Sequence, residues 1–313
     1  MLKDILANVT STNIGKRIHD SVMNCRSRNT MPNCPKFLHI ETTSICNAKC
    51  VMCAYSQMKR PKQIMKEDLF EKIIIDASKM GITWVNLQFY GEPLTDKNVF
   101  QRIHRLKDIG FKVKLNTNAS LLNEEKCVLL MDTGIDQINI SFDAFDRETY
   151  NRIRVGLDYD DVIRNIEYLI RIRGEKKANT KIMMTFVCIE ANKHEANTFS
   201  NKWKGVADRI LVSYARDWAG NLRVDGKKSL LSVDNNICKS LWKDFIILQD
   251  GTVALCCQDY EGRGDMGNLN YQTIEEVWNG EKFVKYRKFH KEGKRSELEI
   301  CKRCDYFSFW WNK

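Results

Sequence analysis

Apolar positions along the chain fall into two alternating rhythms. Short runs at 37–41, 84–90, 112–116, 137–142, 181–189 and 209–214 are rich in Val, Ile, Leu and Phe and read as β-strands. Between them, segments at 66–80, 98–109, 124–133, 159–173 and 193–203 bring apolar residues back every three or four positions, as amphipathic helices do. This alternation predicts a parallel sheet wrapped by helices. Six such units make a partial (β/α)6 barrel of the α/β class, about three-quarters of a complete eight-fold one. After residue 220 the rhythm breaks. Gly251, Gly262, Gly264 and Gly267 cluster, the strands shorten, and five cysteines appear at 238, 256, 257, 301 and 304. The organisation predicted is an N-terminal extension at 1–35, a barrel at 36–220 and a small C-terminal domain at 221–313.

Composition narrows the classes. With 313 residues, 43% of them apolar, the chain can bury a sizeable core. No apolar run approaches the roughly 20 residues that span a bilayer, and the N-terminus lacks the apolar stretch of a secretory signal. A cytoplasmic chain without a membrane segment is expected. Twelve cysteines in such a compartment point to metal binding or catalysis rather than disulfides. The net charge of +10 is spread widely and no nucleic-acid module is recognisable, so solvated helix faces, an anionic substrate or an acidic protein partner account for it better than nucleic acid.

The stretch Glu41-Thr-Thr-Ser-Ile-Cys-Asn-Ala-Lys-Cys-Val-Met-Cys53 follows the first strand and gathers Cys46, Cys50 and Cys53. Iron–sulfur cubes and structural zinc sites both take four ligands. Three thiols in a tight loop leave one metal corner for a substrate or cofactor. On spacing alone, a zinc loop completed by a remote cysteine or histidine stays open as an alternative. The position argues for chemistry, because loops at the C-terminal ends of barrel strands carry active sites.

The Cys-x3-Cys-x2-Cys spacing after the first strand resembles the signature of the radical S-adenosylmethionine family. In that family the fourth iron of a [4Fe–4S] cluster is chelated by the amino and carboxylate groups of S-adenosylmethionine, and an electron from the cluster cleaves it to methionine and a 5′-deoxyadenosyl radical. Phe89-Tyr-Gly-Glu-Pro-Leu94, placed at the end of the second strand, is similar to the family's Gly-Gly-Glu-Pro element. The resemblance implies that Tyr90, Gly91, Glu92 and Pro93 hold the methionine amino group through backbone and carboxylate. It also implies that Ser141 and Asp143 meet the ribose hydroxyls, with Asn116 and Asn118 lining the site; the alternative for each is a polar residue capping the next helix. The segment Tyr150-Asn-Arg-Ile-Arg154 resembles the family's usual continuation. Met52 stands where the family often has an aromatic residue near adenine, and Tyr55 is the candidate substitute.

The C-terminal cysteines resemble the SPASM/twitch extension, which holds an auxiliary iron–sulfur cluster. The resemblance implies two [4Fe–4S] clusters, one on Cys46, Cys50 and Cys53 and one on Cys238, Cys256, Cys301 and Cys304. A zinc ribbon is what the Cys-x2-Cys pair alone would support. Neighbouring side chains of an extended segment point to opposite faces, so Cys256 and Cys257 do not both suit one cube. Similarity is greatest to members acting on aminocyclitols and sugars, which keeps two outcomes in view after hydrogen-atom abstraction. One is epimerisation, with Cys257 returning a hydrogen atom to the opposite face. The other is two-electron dehydrogenation of a secondary alcohol, with the auxiliary cluster as electron acceptor; Cys257 is then a small apolar packing residue. Arg216, after the sixth strand, is the candidate to grip a hydroxyl or phosphate, with Asp217 and Glu190 nearby in sequence as proton-transfer candidates. Cys127 and Cys188 read as core, and the aromatic cluster at 307–311 as a closure over the cavity or a docked tail.

A small-molecule substrate, anionic or nucleotide-linked, and a flavodoxin- or ferredoxin-like reductant are the partners expected. A peptide-modifying role is the third alternative; such family members usually carry an N-terminal winged-helix domain, for which 35 residues are too few.

Overall fold

A computed structural model of the chain describes residues 32–219 and 237–304. Strands β1 (Phe37–Ile40), β2 (Trp84–Leu87), β3 (Lys112–Thr117), β4 (Gln137–Ser141), β5 (Lys181–Cys188) and β6 (Arg209–Tyr214) run parallel. Helices α1 (Glu67–Lys79), α2 (Val99–Ile109), α3 (Glu124–Asp132), α4 (Arg147–Ile153), α5 (Tyr159–Glu175) and α6 (Ala196–Trp203) connect them. The C-terminal part adds β7 (Asp244–Ile247), β8 (Thr252–Ala254), β9 (Gly267–Asn268), α7 (Ile274–Trp278) and α8 (Glu281–Lys291). The sheet order is β6-β5-β4-β3-β2-β1-β7-β8-β9, an open curved sheet rather than a closed barrel. β7 pairs in parallel with β1 (Leu38 opposite Phe245), and β8 and β9 follow antiparallel, so the C-terminal segment extends the barrel's own sheet.

Alternation along the strands gives the sheet two different faces. Leu38, Ile40, Val85, Leu87, Val113, Leu115, Ile138 and Ile140 are fully buried in one core with helix residues such as Phe70, Ile74, Leu106 and Leu169. The opposite face carries His39, Asn86, Lys114, Asn116, Asn139 and Ser141, and register sets His39 against Asn86, Asn86 against Lys114, and Asn116 against Asn139. The amide groups bond to one another: Asn139 Nδ2 donates across to Asn116 Oδ1 of β3 at 3.0 Å, and Gln137 Nε2 donates along β4 to Asn139 Oδ1 at 2.7 Å. His39 sits within 3.3 Å of Asn86 Nδ2, Gln88 Nε2 and Asp244 Oδ1.

The sequence expectation differs from this structure in three places. The strand expected at 84–90 ends at Leu87, because the chain turns out of the sheet before Phe89. The helix expected at 193–203 is a 3-10 turn over Lys193–Glu195 leading into α6. α4 has no counterpart in the periodicity. It is held by Asp146, whose carboxylate accepts from the backbone N–H groups of Glu148 and Thr149, and by Tyr150 and Ile153, which are buried. Among the described residues no helix is long and apolar enough to cross a membrane. Cys25, the segment 220–236, the aromatic cluster at 307–311 and most of the extension lie outside the described residues.

Candidate active site with two cysteine centres

The loop after β1 is built on Glu41. Its carboxylate is 1% exposed and receives both terminal nitrogens of Arg60 at 2.5 Å, the backbone N–H of Tyr90 at 3.2 Å and that of Gln249 at 3.4 Å. Burial raises its pKa, and Arg60 opposes that rise. Arg60 Nε also donates to the carbonyl of Tyr260. One buried ion pair thereby ties the end of β1, the Tyr90 loop and the C-terminal hairpin together.

Cys46, Cys50 and Cys53 follow. Tyr55 clamps the loop: its hydroxyl accepts from Cys46 N at 2.8 Å and donates to Cys46 O at 3.3 Å, and its own N–H points at Cys53 Sγ. Backbone bonds from Lys49 to Val155 and from Val51 to Ile153 lay the loop against the end of α4 and bring up Arg154. The Arg154 guanidinium donates to Cys50 Sγ at 3.5 Å and to Asp143 Oδ2, while its Nε has no partner among the described residues. Burial pushes Cys46 up to about 11 and Cys53 up to about 12.

Gly91 lies against this loop so closely that a Cβ there would overlap the carbonyl oxygen of Thr43, and Glu92 N donates to Ile45 O at 2.8 Å. The Glu92 carboxylate turns into the protein. Oε1 accepts from Thr117 Oγ1 at 2.7 Å and Leu94 N at 3.2 Å, and Oε2 accepts from Asn118 N at 2.8 Å. Pro93 opens the 3-10 turn Pro93–Thr95. Asp143 is also engaged internally, through Arg154 and through Val187 N at 2.7 Å, and its φ of 67° places it in the left-handed region. Ser141 Oγ, half-buried, lies 3.3 Å from Thr185 Oγ1. Asn116 faces Asn139, and Asn118 Nδ2 donates to Asn47 Oδ1 at 3.0 Å.

Cys238, Cys256, Cys301 and Cys304 line a single cavity with His290 and Arg295. Burial, with the neighbouring thiols adding to it, pushes Cys238 up to about 12 and raises Cys256 and Cys301 further. Burial, with Arg295 beside it, lowers His290 to about 4. Among the described residues no three His, Cys, Asp or Glu side chains close on a single-ion site. The donor set fits a multi-iron group in chemistry: four soft sulfur donors surround a buried cavity in which the one cation of its lining, Arg295, does not offset four thiolates, and a bound metal centre would supply the rest. Cys257 does not line this cavity. It packs with Phe89 on the cluster of Ile246, Leu248 and Ala254, and Gln258 Nε2 lies 3.7 Å from its Sγ.

Tyr90 stands between the two centres. Its hydroxyl donates to Cys257 O at 3.1 Å, and its ring meets Trp218 at 5.3 Å and Tyr260 at 5.8 Å between centroids. Trp218 Nε1 in turn donates to Met52 O. Burial raises the Tyr90 pKa well above its ordinary value. Arg216 is half-buried beyond β6. Cys127 and Cys188 are buried in the main core. Sequence reasoning gave no role to Arg60, Arg154 or His290; the resemblance of the Tyr150–Arg154 segment to the family's usual continuation is the one signal that touched any of them.

A family model described as Radical SAM superfamily matches residues 40–197, and one described as iron-sulfur cluster-binding domain (SPASM) matches residues 238–305. The S-adenosyl-L-methionine-dependent 2-deoxy-scyllo-inosamine dehydrogenase of Niallia circulans, BtrN, is 24% identical over 279 residues, 86% of this chain and 92% of that protein. A crystal structure of BtrN in complex with AdoMet and 2-DOIA superposes with a TM-score of 0.60 at 21% identity over 87% of this chain and 93% of that one. Streptococcus suis SuiB bound to precursor peptide SuiA gives a TM-score of 0.70 at 15% identity, covering 93% of this chain and 74% of that one. These structural likenesses establish the fold. An uncharacterized protein of Methanocaldococcus jannaschii is 33% identical over 174 residues, so the chain spans 55% of its length.

Proposed function

The chain belongs to the radical SAM superfamily and carries a SPASM domain; from that premise we propose that it removes a hydrogen atom from a ring carbon of a sugar or aminocyclitol and inverts that carbon. One observation carries the substrate class. On β1–β4 the sheet face turned away from the helices carries His39, Asn86, Asn116, Asn139 and Ser141, with the apolar Ile246 and Met183 beside them on β7 and β5. Amides and hydroxyls donate and accept at once, which suits a ring bearing several hydroxyl or amino groups. Lys114 on the same face adds a cation for an anionic or nucleotide-linked substrate.

Cys46, Cys50 and Cys53 would hold the first [4Fe–4S] cluster, and Cys238, Cys256, Cys301 and Cys304 the second. When bound, the first cluster supplies one-electron cleavage of S-adenosylmethionine and so a carbon-centred radical that accepts a hydrogen atom. Around it the backbone of Tyr90–Pro93 would receive the methionine amino group, since the Glu92 carboxylate is occupied by Thr117, Leu94 and Asn118. Ser141 and Asn116 would meet the ribose, with Asp143 acting through Arg154. Arg216 would grip a substrate hydroxyl or phosphate. Cys257 would return a hydrogen atom from its thiol, which its packing on Ile246, Leu248 and Ala254, outside the lining of the four-cysteine cavity, supports. A flavodoxin- or ferredoxin-like protein would supply the electron.

A second reading is dehydrogenation of a secondary alcohol with the electron passed to the second cluster. The similarity to a protein named as a dehydrogenase favours it. Anaerobic incubation with S-adenosylmethionine, dithionite and a panel of aminocyclitols and nucleotide sugars tests the substrate class. Formation of 5′-deoxyadenosine stimulated by a member of the panel is expected; stimulation by peptides alone would overturn it.

A further inference from the structure

His290 is buried beside the four cysteines and has no part in the chemistry described so far. It lies near the end of α8, is 2% exposed, and lines the same cavity as Cys238, Cys256, Cys301 and Cys304. The backbone N–H of Cys238 donates to its Nδ1 at 3.3 Å. A ring nitrogen that accepts carries no hydrogen, so the imidazole is neutral and its hydrogen sits on Nε2. That Nε2 is buried and has no hydrogen-bond partner among the described residues. A buried donor without an acceptor is costly, and in native folds such a group marks a partner not yet placed. Of the acceptors that line this cavity, Gln258 Oε1 is itself buried without a partner among the described residues and so does not receive this hydrogen, which leaves the sulfurs. Arg295, 1% exposed, lies in the same wall and donates to the carbonyls of Cys301 and Cys304, adding positive charge there.

We propose that the Nε2–H of His290 donates a hydrogen bond to a sulfur of the iron–sulfur cluster held by Cys238, Cys256, Cys301 and Cys304 and thereby raises that cluster's reduction potential. The proposal rests on the ligand assignment made above. Reduction adds negative charge to the sulfurs, so a fixed N–H dipole pointing at one of them stabilises the reduced form more than the oxidised form. His290 acts through the cluster and is a positioning residue. Direct ligation by Nε2 would need that nitrogen to lose its hydrogen while Nδ1 already accepts from Cys238, leaving an anionic ring in a buried site, which desolvation opposes. A cluster that is easier to reduce is a better sink for an electron from a substrate radical.

The test uses the full chain with Cys46, Cys50 and Cys53 replaced by alanine and reconstituted anaerobically, so that the C-terminal cluster is observed by itself. In spectroelectrochemical titration, His290→Phe should lower the ratio of reduced to oxidised cluster at fixed potential at least tenfold, a shift of about 59 mV for one electron. His290→Gln keeps an N–H donor and should restore most of the shift. Equal potentials in the parent and both variants, with about four irons retained, would overturn the proposal. A measurement on the unsubstituted His290 stands beside it. With 15N-labelled histidine, electron–nuclear double resonance of the reduced cluster should show weak coupling to one exchangeable histidine proton. The large nitrogen coupling of a direct iron ligand, or no histidine coupling, would overturn it. A parent protein that binds no iron would overturn the ligand assignment and this proposal together, whereas unchanged potentials on an intact cluster overturn this proposal alone.

Discussion

The phenol of Tyr90 donates a 3.1 Å hydrogen bond to the carbonyl oxygen of Cys257, joining the loop after β2 to the turn after β8 across 167 residues of sequence. Because the same peptide follows Cys256 in the four-cysteine cavity and carries Cys257 onto the apolar cluster of Ile246, Leu248 and Ala254, the bond fixes the spacing between the two cysteine centres. Tyr90→Phe keeps the ring against Trp218 and Tyr260 and removes only the bond. It should cost about 1 kcal/mol of stability, the worth of a typical net hydrogen bond. Iron content should be unchanged. Under the proposed mechanism, the ratio of product to 5′-deoxyadenosine should fall, and liquid chromatography of both in one reaction reads it.

Much of this architecture could be read from the sequence. The strand Arg209–Tyr214 and the neighbourhood of all six barrel strands followed from local alternation, because the core-facing positions are largely apolar, buried in β1–β5 and half-buried at Ile210 and Val212 in β6. α4 escaped because seven residues are too few to show a helical period; its Asp146 cap is the signal that would have found it. The parallel pairing of β7 with β1 joins Leu38 to Phe245 and has no local signature. The cysteine groupings were visible as spacings. The donors around them were not: Arg154 reaches Cys50 from 104 residues away, and a sequence does not say where a buried cation points. Glu92 shows the same limit. Its motif drew attention to the right loop, but only the fold reveals that its carboxylate serves the protein's own donors.

Those donors make Glu92 sensitive to a change that leaves its shape intact. Glu92→Gln puts an amide NH2 where a carboxylate oxygen now accepts from a buried N–H or hydroxyl. At least one buried donor is then unsatisfied, which should destabilise the protein by about 1–3 kcal/mol. Denaturant unfolding of the metal-free protein measures this. Affinity for S-adenosylmethionine should also drop, through displacement of the Tyr90–Pro93 backbone, with iron content retained.

Gly91→Ala is expected to act by overlap. The added methyl would collide with the carbonyl oxygen of Thr43, a backbone atom that cannot rotate away. Forcing the two loops apart should cost about 1–3 kcal/mol, as overpacking does. The loop bearing Cys46 must then shift, so the reconstituted variant should lose up to about four irons per chain, the content of one cube. Iron analysis beside thermal unfolding separates this from a general failure to fold.

Arg154 joins a buried carboxylate and a thiol with one planar group. Arg154→Lys has no second nitrogen to reach Cys50 while it pairs with Asp143, and Arg154→Leu leaves the Asp143 carboxylate buried with only Val187 N for support. Removing one partner of a buried pair costs about 3–5 kcal/mol. The leucine variant should approach that loss and the lysine variant only part of it. Asp143→Asn combined with Arg154→Leu should recover stability relative to Arg154→Leu alone, because the unpaired charge is gone. Urea unfolding of the parent, Arg154→Leu, Asp143→Asn and the double variant completes the cycle.

The place of Cys257 outside the lining of the four-cysteine cavity makes its substitution the decisive experiment on outcome. If its thiol returns the hydrogen atom, turnover in deuterated water should place one deuterium at the inverted carbon, since a thiol exchanges with solvent between cycles. In ordinary water the product then has the mass of the substrate. Cys257→Ala should still form 5′-deoxyadenosine but stop inversion, because the substrate radical would lack a donor on its far face. Its iron content should be that of the parent, whereas Cys256→Ala should disturb the C-terminal cluster, since Cys256 lines that cavity and Cys257 does not. Dehydrogenation gives a different spectrum. Its product is lighter by two hydrogen atoms and carries no solvent deuterium at the oxidised carbon, and loss of Cys257 leaves turnover in place while costing local contacts such as its packing against Ile246 and Leu248 and the approach of Gln258 Nε2. A lighter product from the unaltered enzyme would therefore exclude inversion and select the reading in which the second cluster takes the electron.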